Sequence, residues 1–349
     1  MDDNSLVKIV EMLGINVDKL NGKNILWTGT SGFLGKWVVR LIKYLNDNKL
    51  KVPCSLLAYD MALPDDQTVR NYANSGIKFL SHDLTTKLWP IGGVDIDYVV
   101  HMAGIASPYH YKRRPLETID VAIEGVRSTL EIARNHGAKF LFTSSSEVYQ
   151  TATVIPTPES YVGAIASNNE RSCYDVSKLM AENLTYVYHK NYGINACSVR
   201  IFNSFGAGID ESDSRILPKI ASSVVGKFPV NVYSKNILPS RTYCPVENTI
   251  AGVFLALIKG QSGEIYNIGM EAPELNVVDL IKRVEAVCGI KVPYEMVNPE
   301  EVYIDEPIRR CPDISKAREN LEYSPAVTLD EGLRNFFKWS LKNYTGTRY

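Results

Sequence analysis

Short apolar segments alternate with amphipathic ones along the first part of this chain. The amphipathic segments at residues 35–44, 116–135 and 174–192 place apolar side chains at helical spacing. Strands that alternate with helices imply right-handed βαβ crossovers and a parallel sheet. We therefore predict an α/β fold, a doubly wound parallel sheet covered by helices on both faces. The predicted strands of this sheet are residues 24–30, 55–59, 78–80, 97–102, 139–143 and 196–202.

The pattern changes towards both ends of the chain. Residues 1–22 carry apolar side chains at helical spacing, which predicts a short helix packed on the outside of the main domain. After about residue 206 the strands become sparser and prolines cluster, which indicates a second, smaller region that caps the carboxyl edge of the sheet. There we predict strands at 230–233, 264–268 and 292–296 and helices at 277–287 and 329–342.

These patterns divide the chain into three parts. Residues 1–22 form an N-terminal helical extension, residues 23–206 form the sheet domain, and residues 207–349 form a smaller α/β region. Some chain crossing is expected between the last two parts. Because open parallel sheets bind ligands at the carboxyl ends of their strands, the chemistry of the protein should lie between the sheet and the smaller region.

Composition narrows the class of protein. Of 349 residues, 45% are hydrophobic and 22% are charged, and the net charge is −1, so no basic field is available for nucleic acid or an anionic membrane surface. No apolar run approaches the length of a membrane span, and the chain opens with acidic residues, so we expect a cytoplasmic protein. Six scattered cysteines without a Cys-x-x-Cys pair predict neither disulfides nor a metal site.

A glycine-rich turn follows the first predicted strand. Gly29, Gly32 and Gly35 lie at Gly-x-x-Gly-x-x-Gly spacing and open a predicted helix. The missing side chains allow the backbone to approach a pyrophosphate, and the helix N-terminus offers N–H groups to it. An ordinary turn is the alternative interpretation, but the strand–turn–helix context favours the dinucleotide-binding turn of a Rossmann domain. The predicted cofactor contacts in the turn are Gly29, Ser31, Gly32, Phe33, Leu34 and Gly35.

The second strand ends at Asp60, which predicts the choice of cofactor. A carboxylate there accepts hydrogen bonds from both hydroxyls of the adenosine ribose and repels a 2′-phosphate, which selects NAD over NADP. A solvated loop carboxylate is the alternative, and the polar insert 46–51 accounts for the long spacing from Gly29. The ends of the next strands complete the predicted cofactor site with Asp83, Leu84, Met102, Ala103 and Gly104.

Tyr174 and Lys178 lie four residues apart and therefore on one face of a predicted helix. A tyrosine is a poor base at neutral pH, but a neighbouring ammonium favours the phenolate and lowers the pKa of the phenol. Ser145, Ser146 and Glu147 follow a buried strand and should emerge at its carboxyl end. There they can hydrogen-bond a reacting alcohol and move a second proton. An exposed helix and a capped turn remain the alternative interpretations of these two strings.

Together, the glycine turn, Asp60, Ser-Ser-Ser-Glu-Val-Tyr and Tyr-x-x-x-Lys resemble the extended short-chain dehydrogenase/reductase family of NAD-dependent nucleotide-sugar epimerases, dehydratases and decarboxylases. The resemblance covers roughly residues 23–343. Within the family the chain is most similar to UDP-glucuronate decarboxylases (UDP-xylose synthases). The strings that carry this similarity are Ala106-Ser-Pro-Tyr-His-Tyr111, Arg171-Ser-Cys-Tyr-Asp175, Arg200-Ile-Phe-Asn-Ser-Phe-Gly206 and Asp305-Glu-Pro-Ile-Arg-Arg-Cys-Pro-Asp313.

The resemblance implies roles for individual residues. Tyr174 would take the proton of the sugar 4-hydroxyl while Lys178 holds the nicotinamide ribose and lowers the pKa of the tyrosine. Ser145 would hydrogen-bond the reacting oxygen, and Glu147, with Ser146 beside it, would act at the sugar ring after oxidation. The substrate would be a nucleotide diphosphate sugar. Asn203, Arg215 and one of Arg309 and Arg310 would bind its diphosphate, and Arg241 would lie near the substrate carboxylate or the neighbouring hydroxyls.

Three reactions of this family share the first step, oxidation at C4. A 4-keto uronic acid loses CO₂ readily, so decarboxylation demands little beyond oxidation and placement of the carboxylate. Classical dTDP-glucose 4,6-dehydratases use an Asp-Glu pair where this chain has Ser146-Glu147, and a hydroxyl is a far weaker acid than a carboxyl group. The GDP-mannose dehydratases also resemble Thr-Ser-Glu, so dehydration remains an alternative. A 4-epimerase needs no glutamate at this place. A non-catalytic NAD-binding scaffold would be expected to lose the Tyr/Lys pair.

The chain departs from the family pattern in two places. The family's Phe-Gly-Pro is Phe-Gly-Ala at 205–207, and its Gly-x-Gly-x-Gln-Thr-Arg is replaced by residues 234–241.

In related enzymes two helices from each subunit form a four-helix interface, which predicts a homodimer here. The apolar residues expected to take part are Ile119, Val121, Ile123, Val126, Leu130, Val176, Leu179, Leu184, Val187 and Tyr188.

Overall fold

The computed structural model describes residues 3–72, 74–86, 93–163, 165–233, 239–297 and 307–348. Two segments that the sequence analysis singled out lie partly outside the described residues. They are residues 234–238 of the loop that departs from the family pattern, and residues 305 and 306 of the string 305–313. The strands are β1 (Asn24–Thr28), β2 (Ser55–Asp60), β3 (Ile77–Ser81), β4 (Tyr98–His101), β5 (Lys139–Ser145), β6 (Ala196–Ile201), β7 (Ser204–Phe205), β8 (Val230–Tyr233), β9 (Ser240–Thr242), β10 (Cys244–Pro245), β11 (Ile265–Ile268), β12 (Glu274–Asn276), β13 (Tyr294–Val297) and β14 (Arg309–Arg310).

The helices connect and cover these strands. They are α1 (Asp3–Leu13), α2 (Phe33–Asn48), α3 (Asp66–Tyr72), α4 (Pro108–Tyr111), α5 (Pro115–Asp120), α6 (Val126–His136), α7 (Ser172–Tyr192), α8 (Ile216–Gly226), α9 (Val246–Lys259), α10 (Val277–Cys288), α11 (Ser315–Leu321) and α12 (Leu329–Asn343). None of the helices in the described ranges is long and apolar enough to cross a membrane.

The central sheet is parallel throughout. Among the described residues it has seven strands in the order β3-β2-β1-β4-β5-β6-β11. The strand order reverses between β1 and β4, which creates the crevice where such sheets bind ligands. The buried strands are rich in leucine, valine and phenylalanine because both faces are covered, as the sequence predicted. The predicted α/β doubly wound fold is confirmed.

Two apolar layers sandwich this sheet. On one face α2 and α9 pack with the N-terminal helix α1 into a large core. On the other face α6 and α7 pack against the inner side chains of β4 and β5. Every residue of α9 from Val246 to Ile258 is buried, so this helix is covered on all sides rather than along one stripe. A third core joins α8, α10 and α12 in the C-terminal region.

The C-terminal region is built from small sheets and capped helices. β8 pairs with β13, and β9 lies between β12 and β14. The α12 helix begins with a capping box in which Thr328 and Glu331 satisfy each other's backbone N–H groups. The Trp37 indole N–H of α2 donates to the Ala207 carbonyl oxygen at 2.8 Å. This bond ties the region to the sheet.

Several element bounds differ from the predicted ones. The predicted helix 116–135 is observed as α5, one π-helical turn (Val121–Gly125) and α6. The last predicted strand begins at Tyr294 instead of residue 292 and pairs with β8. Residues 1–22 form α1 and a 3₁₀ turn (Gly14–Leu20). The three-part division of the chain stays a prediction, and β11, from beyond residue 206, lies at the edge of the central sheet.

Candidate active site

The glycine turn forms a closely packed cradle between β1 and α2. Gly29 has φ of +78°, and a side chain there would place its Cβ 2.7 Å from the backbone nitrogen of Ala103. A Cβ at Gly35 would overlap the carbonyl oxygen of Gly29. Gly32 caps α2, whose first turn is formed by Phe33, Leu34 and Gly35. The N–H groups of such a first turn have no intrahelical acceptor and suit a pyrophosphate.

Asp60 lies at the carboxyl end of β2, directly beside this cradle. One of its carboxylate oxygens accepts a hydrogen bond from the Ser31 backbone N–H at 2.8 Å, and the Ser31 hydroxyl donates to the Ala62 carbonyl at 2.6 Å. The carboxylate is therefore held at the mouth of the cradle. Its remaining lone pairs can accept from the hydroxyls of a ribose.

The ends of β3 and β4 contribute the other predicted cofactor residues. The Thr28 hydroxyl accepts from the backbone N–H groups of Met102 and Ala103, at 3.1 and 3.2 Å, and so fixes the turn after β4 against the cradle. Gly104 follows in an exposed position. Beyond β3, Asp83 is exposed and Leu84 is buried. The structure thus brings all these residues to one edge of the sheet.

Lys178 and Tyr174 lie on the face of α7 that covers β5. The Lys178 ammonium is buried and donates to the Thr143 carbonyl at 2.9 Å. It lies 5.8 Å from the centroid of the Tyr174 ring, and a Cβ at Gly104 would lie 3.4 Å from its nitrogen. Burial lowers the pKa of Lys178 to about 8. The lysine therefore stands between the end of β4 and the tyrosine, where the resemblance places the nicotinamide ribose.

The Tyr174 hydroxyl forms a hydrogen bond with Ser145. Burial raises the pKa of Tyr174 to about 12, and the Ser145 hydrogen bond only partly opposes this. The expected lowering of the tyrosine pKa by Lys178 is not observed in this structure, because the ammonium faces the ring and the Thr143 carbonyl rather than the phenol oxygen. The Tyr111 ring stacks on Tyr174, with centroids 5.2 Å apart and planes 9° from parallel.

Glu147 is held by arginines from two distant parts of the chain. Ser145 accepts the Glu147 backbone N–H at 3.2 Å and so starts the turn that carries the glutamate; Ser146 is buried in the same turn. The Glu147 carboxylate pairs with Arg171 at 2.5 Å and with Arg310. Burial alone would raise the pKa of Glu147, but the Arg310 and Arg171 guanidinium groups outweigh it and lower the pKa to about 2. Glu147 is therefore ionised.

The strand register separates the two adjacent arginines of β14. Arg310 pairs in register with Arg241 of β9, and Arg241 adds to the positive potential that holds Glu147 ionised. Side chains alternate along a strand, so Arg309 points to the opposite face. There it forms a bidentate ion pair with Glu274, at 2.6 and 2.9 Å. Of the two predicted alternatives, Arg310 is the one that the structure brings to Glu147.

The other predicted substrate ligands lie along the same edge. The Asn203 amide donates to the Thr242 carbonyl at 2.9 Å. Arg215 forms a bidentate pair with Asp213 and donates to the Ser204 carbonyl at 3.2 Å. Arg215 is also near enough to Tyr174 to act on the pKa of the phenol. Arg215 therefore lies near Tyr174, whereas Asn203 contacts β9, the strand that carries Arg241.

Two further residues of the site belong to the strings shared with the family, although the sequence predicted no role for them. Arg171 precedes Tyr174 by three residues and contacts Glu147, and Tyr111 covers the Tyr174 ring. The signal that identifies them is their place in strings shared with the family, because neither residue type indicates chemistry by itself. The described residues contain no group of three His, Cys, Asp or Glu side chains that could hold a metal ion.

The residues present fit a dinucleotide. Cradle positions 29 and 35 admit no side chain, the α2 N-terminus faces the same place, and Asp60 and Lys178 lie on either side of it. The cradle would hold the pyrophosphate, Asp60 the adenosine ribose, and Lys178 the second ribose. Fold and site together define a dinucleotide-binding α/β enzyme with a tyrosine–lysine pair.

Comparisons with known proteins identify its family. Residues 25–269 match the NAD dependent epimerase/dehydratase family. UDP-glucuronic acid decarboxylase 6 of Arabidopsis thaliana is 33% identical over 309 residues, which cover 88% of this chain and 86% of that protein. UDP-glucuronic acid decarboxylase 1 of Xenopus tropicalis is 27% identical over 332 residues, covering 94% and 75%. The chain belongs to the NAD dependent epimerase/dehydratase family, so the predicted family and the predicted cofactor, NAD, are confirmed.

A solved structure of the same family superposes over most of the chain. UDP-glucuronic acid 4-epimerase from Bacillus cereus, in complex with UDP-glucuronic acid and NAD, matches with a TM-score of 0.77 and 25% identity. The match covers 92% of this chain and 100% of that one. The arrangement of sheet and helices is thus shared from the glycine turn to the C-terminal region.

The position of Asp60 predicts how the protein distinguishes NAD from NADP. Asp60→Ser should weaken NAD binding about tenfold, because charge-assisted hydrogen bonds to the ribose are lost, and should affect NADP less, because the repulsion is removed as well. Calorimetry on cofactor-free protein measures both dissociation constants. Asp66→Ser, an exposed change in α3, should leave them unaltered. Tighter binding of NADP than of NAD by the unchanged protein would contradict the assignment.

Proposed function

We propose that the protein is a UDP-glucuronate decarboxylase, an NAD-dependent lyase that oxidises the sugar at C4, releases its carboxyl group as CO₂ and reduces C4 again. The observation that supports this most directly is the group of arginines around Glu147. Arg171 and Arg310 pair with the single carboxylate, and Arg241 acts on it from the strand beside Arg310. Within this group, Arg310 has donor atoms that the Glu147 carboxylate does not occupy.

Arg310 is the most informative member of this group. Its side chain is 5% exposed, and its Nε and Nη2 atoms have no hydrogen-bond partner in the part of the chain that the structure describes. Leaving buried guanidinium donors unsatisfied is costly, so such a site favours an anionic ligand that accepts them. A glucuronate offers a carboxylate to such donors in addition to the diphosphate, whereas a neutral hexose offers the diphosphate alone. The relatives named UDP-glucuronic acid decarboxylase support the same substrate.

The charge state of Glu147 argues against a 4,6-dehydratase. Dehydration needs a group that protonates the leaving 6-hydroxyl, and a general acid must carry its proton at working pH. The lowered pKa of Glu147, about 2, deprives the residue of that proton. Ser146, in the neighbouring position, is a weaker acid than a carboxyl group. Decarboxylation requires no such acid, because the departing group is CO₂.

The side chains then have distinct tasks. NAD, when bound, supplies the electron acceptor for oxidation at C4 and the donor for its reversal. Tyr174 takes the proton of the 4-hydroxyl, and Ser145 hydrogen-bonds both Tyr174 and the reacting oxygen. The oxidised sugar is a β-keto acid, so its C5–C6 bond breaks, CO₂ departs, and the electron pair forms an enolate that takes a proton from solvent water at C5. The arginines around Glu147 hold the carboxylate before this step.

Product masses test the proposal. UDP-glucuronate incubated with the pure protein and NAD should yield a nucleotide sugar lighter by CO₂. UDP-glucose is the matched control, since it differs only by its neutral C6 group and should be left unaltered in mass. dTDP-glucose and GDP-mannose should not lose water. Loss of water from either, or conversion of UDP-glucuronate at constant mass, would contradict decarboxylation and favour a dehydratase or a 4-epimerase respectively.

Two variants separate the steps of the reaction. Tyr174→Phe removes the base but keeps the stacked ring, so turnover should fall by about 10² to 10⁴ and no oxidised sugar should form. Glu147→Gln should still allow oxidation, and because a β-keto acid is intrinsically labile, some release of CO₂ should persist. Mass spectrometry of quenched reactions measures both. Tyr192→Phe, at the far end of α7, serves as the control. Equal loss of oxidised sugar in both variants would show that Glu147 is needed for binding or oxidation.

We also propose that the protein is a homodimer. The outer faces of α5 and α7 expose large apolar side chains, among them Leu116 and Met180, which are 71% and 45% exposed. Of the residues predicted for the interface, Ile119, Leu179 and Val187 are exposed as expected. Val126, Leu130, Leu184 and Tyr188 instead fill the protein's own core, because they face the sheet. The free cysteines favour a reducing, cytoplasmic location.

Light scattering tests the assembly. The unchanged protein should have twice the mass of one chain at micromolar concentration. Met180→Arg, in the middle of the exposed face of α7, should give single chains because it buries an unpaired charge in the interface. Val162→Arg makes the same kind of change at a position that is 91% exposed, away from these helices, and should leave the dimer intact. A single-chain mass for the unchanged protein would contradict the proposal.

A further inference from the structure

Asp175 is a buried carboxyl group with no role in the reaction described above. It follows Tyr174 on α7 and is 1% exposed. One of its oxygens accepts a hydrogen bond from the Gln150 side-chain amide at 3.2 Å, and the other has no partner among the described residues. No guanidinium or ammonium group forms an ion pair with Asp175 in the described ranges. An ionised carboxylate in such surroundings is costly.

Gln150 connects Asp175 to the segment that carries Arg171. The Gln150 carbonyl oxygen accepts the Ala166 backbone N–H at 3.1 Å, and the Ala166 carbonyl accepts the Ser172 hydroxyl at 2.8 Å. Gln150 itself has φ of 41°, a conformation that a non-glycine residue adopts only when its surroundings hold it there. Its backbone N–H donates to the Glu147 carbonyl at 3.0 Å. The amide of Gln150 is thus the link between Asp175, the Glu147 turn and the start of α7.

Charged and titratable groups surround Asp175 on several elements. The charge of Glu147, in the turn after β5, raises the pKa of Asp175, and the charges of Arg171, before α7, and of Arg310, in β14, lower it. The charge of Asp175 in turn raises the pKa values of Tyr111 in α4 and of Tyr174 and Cys173 in α7. Burial, and then the negative charge of Glu147, raise the pKa of Asp175 to about 7. Loss of this proton would raise the pKa of Tyr174, the base of the reaction.

We propose that Asp175 is a positioning residue that acts as the neutral acid: it holds Gln150, and with it the Arg171 segment, while adding no negative charge beside Glu147 and Tyr174. In this state the Arg310 donors that have no partner among the described residues stay available for the substrate carboxylate. When Asp175 ionises, its charge opposes that carboxylate and the formation of the Tyr174 phenolate. The kinetic part of this inference rests on the proposed function, whereas the protonation of Asp175 does not.

Asp175→Asn tests the inference because an amide has the shape of the neutral acid, still accepts from Gln150 and cannot ionise. The measured quantity is kcat/KM for UDP-glucuronate. Between about pH 6 and about pH 8.5, the ratio of kcat/KM of the unchanged enzyme to that of the variant should fall by about three- to tenfold. Asp175→Leu has a similarly branched side chain but loses the acceptor, and its turnover should be low at every pH. A ratio of unchanged enzyme to Asp175→Asn that stays constant with pH would overturn the positioning role.

Thermal unfolding tests the protonation independently of activity. The pKa of Asp175 is higher in the folded protein than in the unfolded chain. The free energy of unfolding should therefore fall as the pH rises from about 4 to about 7, because the unfolded chain releases this proton more readily. The melting temperature of Asp175→Asn relative to the unchanged protein should therefore rise from about pH 5 to about pH 8. A difference that does not change with pH would overturn the neutral state. Absence of CO₂ release by the unchanged protein contradicts the proposed function only, and the melting curves still decide the protonation.

Glu159→Gln is the matched control. Glu159 is a half-buried carboxyl group whose pKa is also raised by burial, but it accepts the Asn267 backbone N–H at 2.7 Å, at the β11 edge of the sheet. Its change to an amide should alter the melting temperature in a pH-dependent way while leaving the pH profile of turnover as in the unchanged enzyme. A profile shifted equally in Glu159→Gln and Asp175→Asn would overturn the specific role of Asp175.

Discussion

All strands of the central sheet run in one direction, and each must therefore be followed by a return across a face of the sheet. This constraint puts the carboxyl end of every strand at one edge. The glycine cradle after β1, Asp60 at the end of β2, the turn after β4 and the Ser145–Glu147 turn after β5 consequently meet there, although they are far apart in sequence. The helices behind them bury both faces, so that this edge is the place left for ligands.

Electrostatics at this edge is governed by burial more than by single ion pairs. Glu147, Asp175, Tyr174 and Lys178 lie close together, yet burial lowers the pKa of the lysine and raises those of the tyrosine and the aspartate, while arginines lower that of Glu147. The site therefore contains two carboxyl groups with opposite preferences for a proton. Environments that push the pKa values of like groups apart are characteristic of acid–base chemistry.

Much of the fold and part of the site could be predicted because their signals are local. The glycine spacing, the apolar strands and the four-residue separation of Tyr174 and Lys178 depend on neighbouring residues alone. The choice of Arg310 over Arg309 could not be predicted, because it depends on the register of β14 against β9. The proton on Asp175 depends on its burial and on Glu147, and the division of the α6 and α7 side chains between core and surface depends on how the helices rotate against the sheet.

The pairing of Glu147 with Arg310 spans 163 positions of the chain. A polypeptide emerging from the ribosome completes the glycine cradle and the first six strands of the sheet long before Arg310 is synthesised. Until then, the turn after β5 carries a carboxylate that lacks its Arg310 partner. The nascent chain can thus form the nucleotide-binding cradle early, while the charge arrangement around Glu147 waits for a segment that is translated much later.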